Sequence, residues 1–173
     1  MIGIDVIDLE DELMAERDQR ASLLIKHPND SKLDHPLAFW LLWTAKEALF
    51  KCQRTDTRYR PTDIPIILNT TGLIENGFRS EREVGYWEVF GDHIIAVAHP
   101  ANLQLHVACI KDSTCPEWSK KVRDHLGDLL AKQSLSVGAS KQGLPIVKES
   151  KAPITLSHHR RFAAFAYPIE TLN

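Results

Sequence analysis

The stretch Trp40 to Lys51, WLLWTAKEALFK, decides how this chain is read. Leu41, Leu42, Ala45, Ala48, Leu49 and then Cys52 form a broad apolar face at helical spacing. Trp40, Thr44, Glu47 and Lys51 form a narrower stripe on the other side. Asp34 and Pro36 mark a start, so the spacing predicts a helix from Leu37 to about Cys52. A helix apolar around most of its girth belongs in a core, and the three charges inside it, Lys46, Glu47 and Lys51, need a reason. The ordinary reason is that Glu47 and Lys51 stand in the favourable i, i+4 order, a solvated pair contributing ~0.3–0.5 kcal/mol. The other is that the stripe faces a polar site closed off from open solvent.

Working outward, the N-terminus raises the same question. Residues Ile2 to Ile7 read as a strand with one carboxylate, Asp5, between Ile4 and Val6. On an edge strand Asp5 would point to water. In a buried strand it needs a cation, because an unpaired ion in low dielectric is costly. Mg²⁺ suits one or two protein carboxylates completed by water and phosphate oxygens, and Asp5 with Glu47 supplies that pair. Lys46 and Lys51, on or beside the stripe, would then bring positive charge to phosphate groups. Near the C-terminus, ITLSHHRRF places Ser157 and His158 after a β-prone triplet, where a hydroxyl and an imidazole can reach a phosphate. For one histidine among eight, a plain surface or core role is the usual alternative.

Between these points the texture changes several times. DLEDELMAERDQRASLLIK reads as a charge-rich helix after the first strand. From Asp63 the runs IPIILN, TGLIENGF, GYWEVFG and HIIAVAHP, separated by Gly, Asn and Pro, predict an antiparallel meander, and LQLHVACI one strand more. CPEWSKKVRDHLGDLLAKQ then places Trp118, Val122, Leu126, Leu129 and Leu130 at helical spacing. The fold class expected is α+β. HIIAVAHP also resembles RFAAFAYP, with Ala96, Ala98 and Pro100 matching Ala164, Ala166 and Pro168. That echo suggests two related halves of one domain over residues 1–173, about 1–112 and 113–173.

Composition narrows the function classes. With 21 basic and 23 acidic residues the net charge is −2, which gives no electrostatic footprint for nucleic acid. Three cysteines are too few and too irregularly spaced for a disulfide framework or a zinc ribbon. The start does not read as a signal peptide, and Leu37 to Ala45 falls far short of the roughly 20 apolar residues of a membrane span. A cytoplasmic protein without nucleic-acid or membrane partners is expected. The P-loop, G-x-G-x-x-G, H-E-x-x-H and G-x-S-x-G patterns are all missing from the sequence.

Taken in order, GID at Gly3 to Asp5, WTAKEALFK at Trp43 to Lys51, and GLP followed by ITLSHH between Gly143 and His159 resemble the 4'-phosphopantetheinyl transferase superfamily. The order is that of its holo-acyl-carrier-protein synthase branch. The resemblance implies Mg²⁺-dependent transfer of the phosphopantetheine arm of coenzyme A to a serine of an acyl or peptidyl carrier protein, releasing adenosine 3',5'-bisphosphate. By position, Asp5 and Glu47 would bind the metal, and Glu47 would also help deprotonate the incoming serine. Lys51, supported by Lys46, would neutralise phosphate charge, and Ser157 with His158 would hold the adenosine bisphosphate end. The family-like fold would be two pseudo-twofold-related halves, each a helix on an antiparallel sheet. With both halves in one chain, a monomer is favoured over a trimer. Carrier docking is expected near Arg17 and Arg20.

The chain also departs from the family pattern. Ile7 stands where the longer branch has a second acid, and Leu144 where a G-K-P lysine is usual. The glycine after the K-E-x-x-x-K helix is replaced by CQRTDTRYRP. These departures leave open a second reading, a catalytically silent member that binds coenzyme A or a carrier. A third is a structural protein with solvated Asp5 and Glu47.

Overall fold

A computed structural model describes residues 1–12, 21, 24–53, 58–69, 77–113, 118–141 and 143–169. Most of the helix expected after the first strand, with Arg17 and Arg20, lies outside the described residues. So do Pro116 and most of TGLIENGF. Among the described residues no helix is long and apolar enough to cross a membrane.

The fold is α+β with antiparallel sheets. Strand β1 (Gly3–Asp8) lies at the edge of a five-stranded sheet with β2 (Ile67–Leu68), β3 (Phe78–Arg79), β4 (Glu83–Val89) and β5 (His93–Pro100), ordered β1-β5-β4-β3-β2. The meander is thus β2 to β5, and β1 adds to its last strand with Asp5 opposite Ala96. A second sheet, ordered β6-β10-β9, contains β6 (Leu105–Lys111), β9 (Thr155–His159) and β10 (Phe162–Pro168). Strands β7 (Val137–Ala139) and β8 (Pro145–Val147) form a separate hairpin. Strand β6 pairs with β10, so the second sheet takes a strand from before residue 113.

Helix α1 (Ala38–Gln53) covers one face of the first sheet, and α2 (Trp118–Ala131) covers the far face of the second. The period of two in each strand sorts the core into layers. Ile7, Ala96 and Ala98 face α1, with Leu41, Ala45, Ala48 and Leu49 of the helix. Ile2, Ile4, Val6, Ile95 and Val97 face the second sheet through Phe162, Ala164 and Ala166. Ala163, Phe165 and Tyr167 point the other way, to Val122, Leu126 and Leu130 of α2. The sequence echo therefore joins residues on unlike faces: Ala96 and Ala98 meet a helix, whereas Ala164 and Ala166 meet a sheet.

Two local features draw β1, α1 and β9 together. A Cβ on Gly3 would stand 1.9 Å from the backbone oxygen of Ala48 and 2.6 Å from the nitrogen of Cys52. Only glycine lets α1 approach β1 this closely. At the other end of β1, buried Asp8 receives both arms of Arg161, Nε to Oδ2 at 2.7 Å and Nη2 to Oδ1 at 2.6 Å. Burial pushes the Asp8 carboxyl up, but hydrogen bonds from Arg161 and from two backbone N–H groups outweigh it and hold it below its ordinary value. The Asp8 N–H also donates to His159 Nδ1 at 3.1 Å. The turn between β9 and β10 is thus clamped to β1.

Helix α1 begins with a different cap from the one expected. The His35 ring accepts the Leu37 N–H at 3.0 Å, so His35 rather than Asp34 serves the first turn.

Candidate active site

Where the edge of β1 meets β9, under the stripe of α1, a cavity of about 620 Å³ opens. Its polar wall contains Asp5, Glu47, Lys51, Ser157, His158 and His159, and Ile7, Leu24, Phe39, Trp40 and Trp43 supply an apolar wall. Five residues singled out in the sequence, Asp5, Glu47, Lys51, Ser157 and His158, therefore share one cavity, although they come from three elements.

Alternation along β1 explains Asp5. With Ile4 and Val6 turned to the second sheet, Asp5 shares the α1-facing side with Gly3 and Ile7. It is buried, and its Oδ1 accepts from Lys51 Nζ and from Ser157 Oγ, each at 2.8 Å. Lys51 Nζ donates further to the Ile4 carbonyl at 3.1 Å and to Ser157 Oγ at 3.2 Å. One ammonium thus links helix, first sheet and second sheet. Glu47, one turn before Lys51, is half-buried and makes no hydrogen bond or ion pair among the described residues. Burial raises its carboxyl above the usual value, the Asp5 charge adds to that, and Lys51 opposes it.

Lys46 corrects the expectation that all three charges of the helix serve the site. Its side chain is fully buried away from the cavity, 2.9 Å from Asp30 Oδ2. Nζ also donates to the Pro61 and Ile64 carbonyls at 3.1 and 2.7 Å. All three ammonium donors have acceptors, so none remains for a phosphate. Thr44, placed on the polar stripe by spacing, is also buried and spends its hydroxyl on the Trp40 and Leu41 carbonyls.

Two residues missed by sequence reasoning stand close to the site. In β9, Ser157 pairs opposite Ala164, which faces the first sheet, and alternation puts His159 on that same side. His158 pairs with Ala163 and is exposed at the rim. The period of two was the signal for His159. Tyr59 packs against α1, with its ring centroid 6.2 Å from that of Trp43 and 5.1 Å from that of Phe50. It sits in a stretch without periodicity, so no pattern announces it.

The donor chemistry fits a hard divalent cation shared with phosphate oxygens. Two carboxylates line one cavity, near enough for the charge of Asp5 to raise Glu47, and a cation relieves that repulsion. Among the described residues no group of three or more His, Cys, Asp or Glu gathers that could hold a metal ion.

A profile of the 4'-phosphopantetheinyl transferase superfamily matches residues 1–98. No curated protein and no solved structure matches. The matched part contains Asp5, Glu47 and Lys51; Ser157 and His158 lie beyond it and are joined to the site by geometry alone.

Proposed function

The chain belongs to the 4'-phosphopantetheinyl transferase superfamily, and on that basis we propose that it moves the phosphopantetheine group of coenzyme A onto a serine hydroxyl of an apo acyl or peptidyl carrier protein, using Mg²⁺. The observation that carries this reading is the convergence of Asp5, Glu47, Lys51 and Ser157 on one cavity between the two sheets. In the transfer, the serine oxygen bonds to the phosphorus on the pantetheine side. The bond to the bridging oxygen breaks, and adenosine 3',5'-bisphosphate leaves.

Asp5 and Glu47 would hold the metal, which supplies charge neutralisation to the pyrophosphate. Glu47, with its raised carboxyl and no other partner among the described residues, is suited to take the serine proton directly or through water. Lys51 would meet the developing negative charge on the leaving group, and its bonds to Asp5 and the Ile4 carbonyl set the direction of its ammonium. Ser157 and His158 would contact the adenosine bisphosphate end. The apolar wall of Phe39, Trp40 and Trp43 would exclude water from the reacting groups.

The halves are proposed as about 1–112 and 113–173, related by a pseudo-twofold, and the site then lies between β1 of one and β9 of the other. Because one chain supplies both walls, a monomer suffices, in the cytoplasm and without nucleic-acid or membrane partners. Incubation with coenzyme A, Mg²⁺ and several apo carrier proteins, followed by intact mass, tests the reading. A carrier heavier by one phosphopantetheine supports it. A folded sample that modifies no carrier overturns it in favour of the silent binding module. Leu144, exposed in the turn between β7 and β8 where a lysine is usual, favours that second reading.

A further inference from the structure

A second cavity, of about 670 Å³, lies between the segment from Ile25 to Leu33 and the start of α1. It matches the candidate active site in size, and the proposed transfer does not use it. Phe39 is the only described residue that lines both. Buried Ile25 and Leu42, with half-buried Leu33 and Phe39, give the second cavity an apolar wall. Its size and lining are those of a small-molecule pocket.

The polar side chains around it offer donors and positive charge. Asp30 is the one acid among the described lining residues, and the fold has already used it. Its Oδ1 accepts from Lys46 Nζ at 3.0 Å and from the Ile66 N–H at 2.8 Å, and its Oδ2 accepts from the His27 N–H at 2.8 Å. The Lys46 ammonium balances its charge, and the same bonds tie the segment to α1, so the cavity is preformed. His27 Nδ1 accepts from the Asn29 N–H at 2.9 Å, which leaves the ring proton on Nε2. Ser31 Oγ accepts from the Leu68 N–H at 3.1 Å and keeps its own proton to give. Lys26 and Lys32 are exposed and make no ion pair among the described residues.

We propose that this cavity binds a small organic anion with an apolar tail, of the class of a medium-chain carboxylate. The head is held among Lys26, His27, Ser31 and Lys32, and the chain lies against Ile25, Leu33, Phe39 and Leu42. A bare inorganic anion would leave the apolar wall in water, and a neutral chain would leave the lysines without a counter-charge. Only a ligand with both parts satisfies both. The inference stands apart from the transferase reading, since it uses none of Asp5, Glu47, Lys51 or Ser157.

Calorimetry with decanoate, decanol and acetate tests it on the full chain. The parent should bind decanoate, bind decanol ~10-fold or more weakly because the charge-assisted bonds are lost, and bind no acetate. Ala38→Leu keeps a good helix former in the first turn of α1 and fills the cavity, so decanoate binding should vanish. Lys26→Met with Lys32→Met keeps both stems without their charges and should weaken decanoate ~3-fold or more. If Ala38→Leu fails to fold, this double variant decides. Equal affinity for decanol and decanoate overturns the inference, leaving an apolar crevice without head recognition. Decanoate binding unchanged in Ala38→Leu, or in the double variant, places the ligand elsewhere and also overturns it. A parent that binds no decanoate, with a raised KM for the carrier in the double variant, overturns it in favour of a docking rim for an acidic protein.

Discussion

Lys51 Nζ stands 2.8 Å from Asp5 Oδ1, joining the last turn of α1 to the middle of β1. The Lys51 side chain is 30% exposed, so the pair contributes little to stability, and its value lies in aiming an ammonium at the cavity. Lys51→Ala is expected to lower turnover by ~10²–10³-fold, the usual loss when one preorganised electrostatic group is deleted. The melting temperature should move by only a few degrees. Lys51→Arg should restore little, because a planar fork cannot reproduce donation to Asp5, Ser157 and the Ile4 carbonyl together. Steady-state kinetics beside thermal melts check both.

Lys46 is expected to behave in the opposite way. Lys46→Ala strands Asp30 and two carbonyls in a closed interior, and breaking such a pair costs ~3–5 kcal/mol. Denaturant unfolding should show that loss. Turnover per folded molecule should stay near the parent value, since Lys46 does not line the cavity. A selective loss of turnover in stable Lys46→Ala would return this lysine to the site.

Carried on one helix, these two lysines mark the limit of what the sequence makes legible. Charges in apolar runs identify Asp5, Glu47 and Lys51, and the two periods place them on a helix and a strand. The sequence does not say which side of an almost wholly apolar helix meets Asp30, Pro61 and Ile64, because those partners come from irregular segments on either side of it. Strand β6 shows the same limit: it follows the meander in the chain, yet it pairs with β10 near the C-terminus. Its side chains alternate equally well for either sheet. Tyr59 and His35 meet α1 from loops, where no period reports which way a side chain faces.

Gly3 tests whether the close approach of α1 to β1 builds the site. Gly3→Ala puts a methyl against the backbone of Ala48 and Cys52, which cannot yield as a flexible side chain would. Overpacking of this kind costs ~1–3 kcal/mol or more. The helix must move away, and Lys51 should separate from Asp5. Both the unfolding free energy and turnover per folded molecule should therefore fall. Parental turnover in a stable Gly3→Ala would detach the helix spacing from the chemistry.

Glu47 links stability to pH with a definite sign. Its folded carboxyl is raised above its ordinary value, by burial first and the Asp5 charge second. A raised carboxyl contributes stability that is fully present below about pH 4.5 and is lost as pH rises through the folded value. Glutamine keeps the neutral form at every pH. In EDTA, Glu47→Gln should thus melt above the parent at pH 7–8, and the two should converge as pH falls towards about 4. Added Mg²⁺ with coenzyme A reverses the order, because only the parent gains binding energy, ~2.7 kcal/mol at a hundredfold excess over Kd. Melts of both proteins across pH, with and without Mg²⁺, read the two effects separately. A parent more stable than Glu47→Gln in EDTA at pH 8 would mean that the carboxylate is already paired, and its availability to a cation would be lost as an explanation.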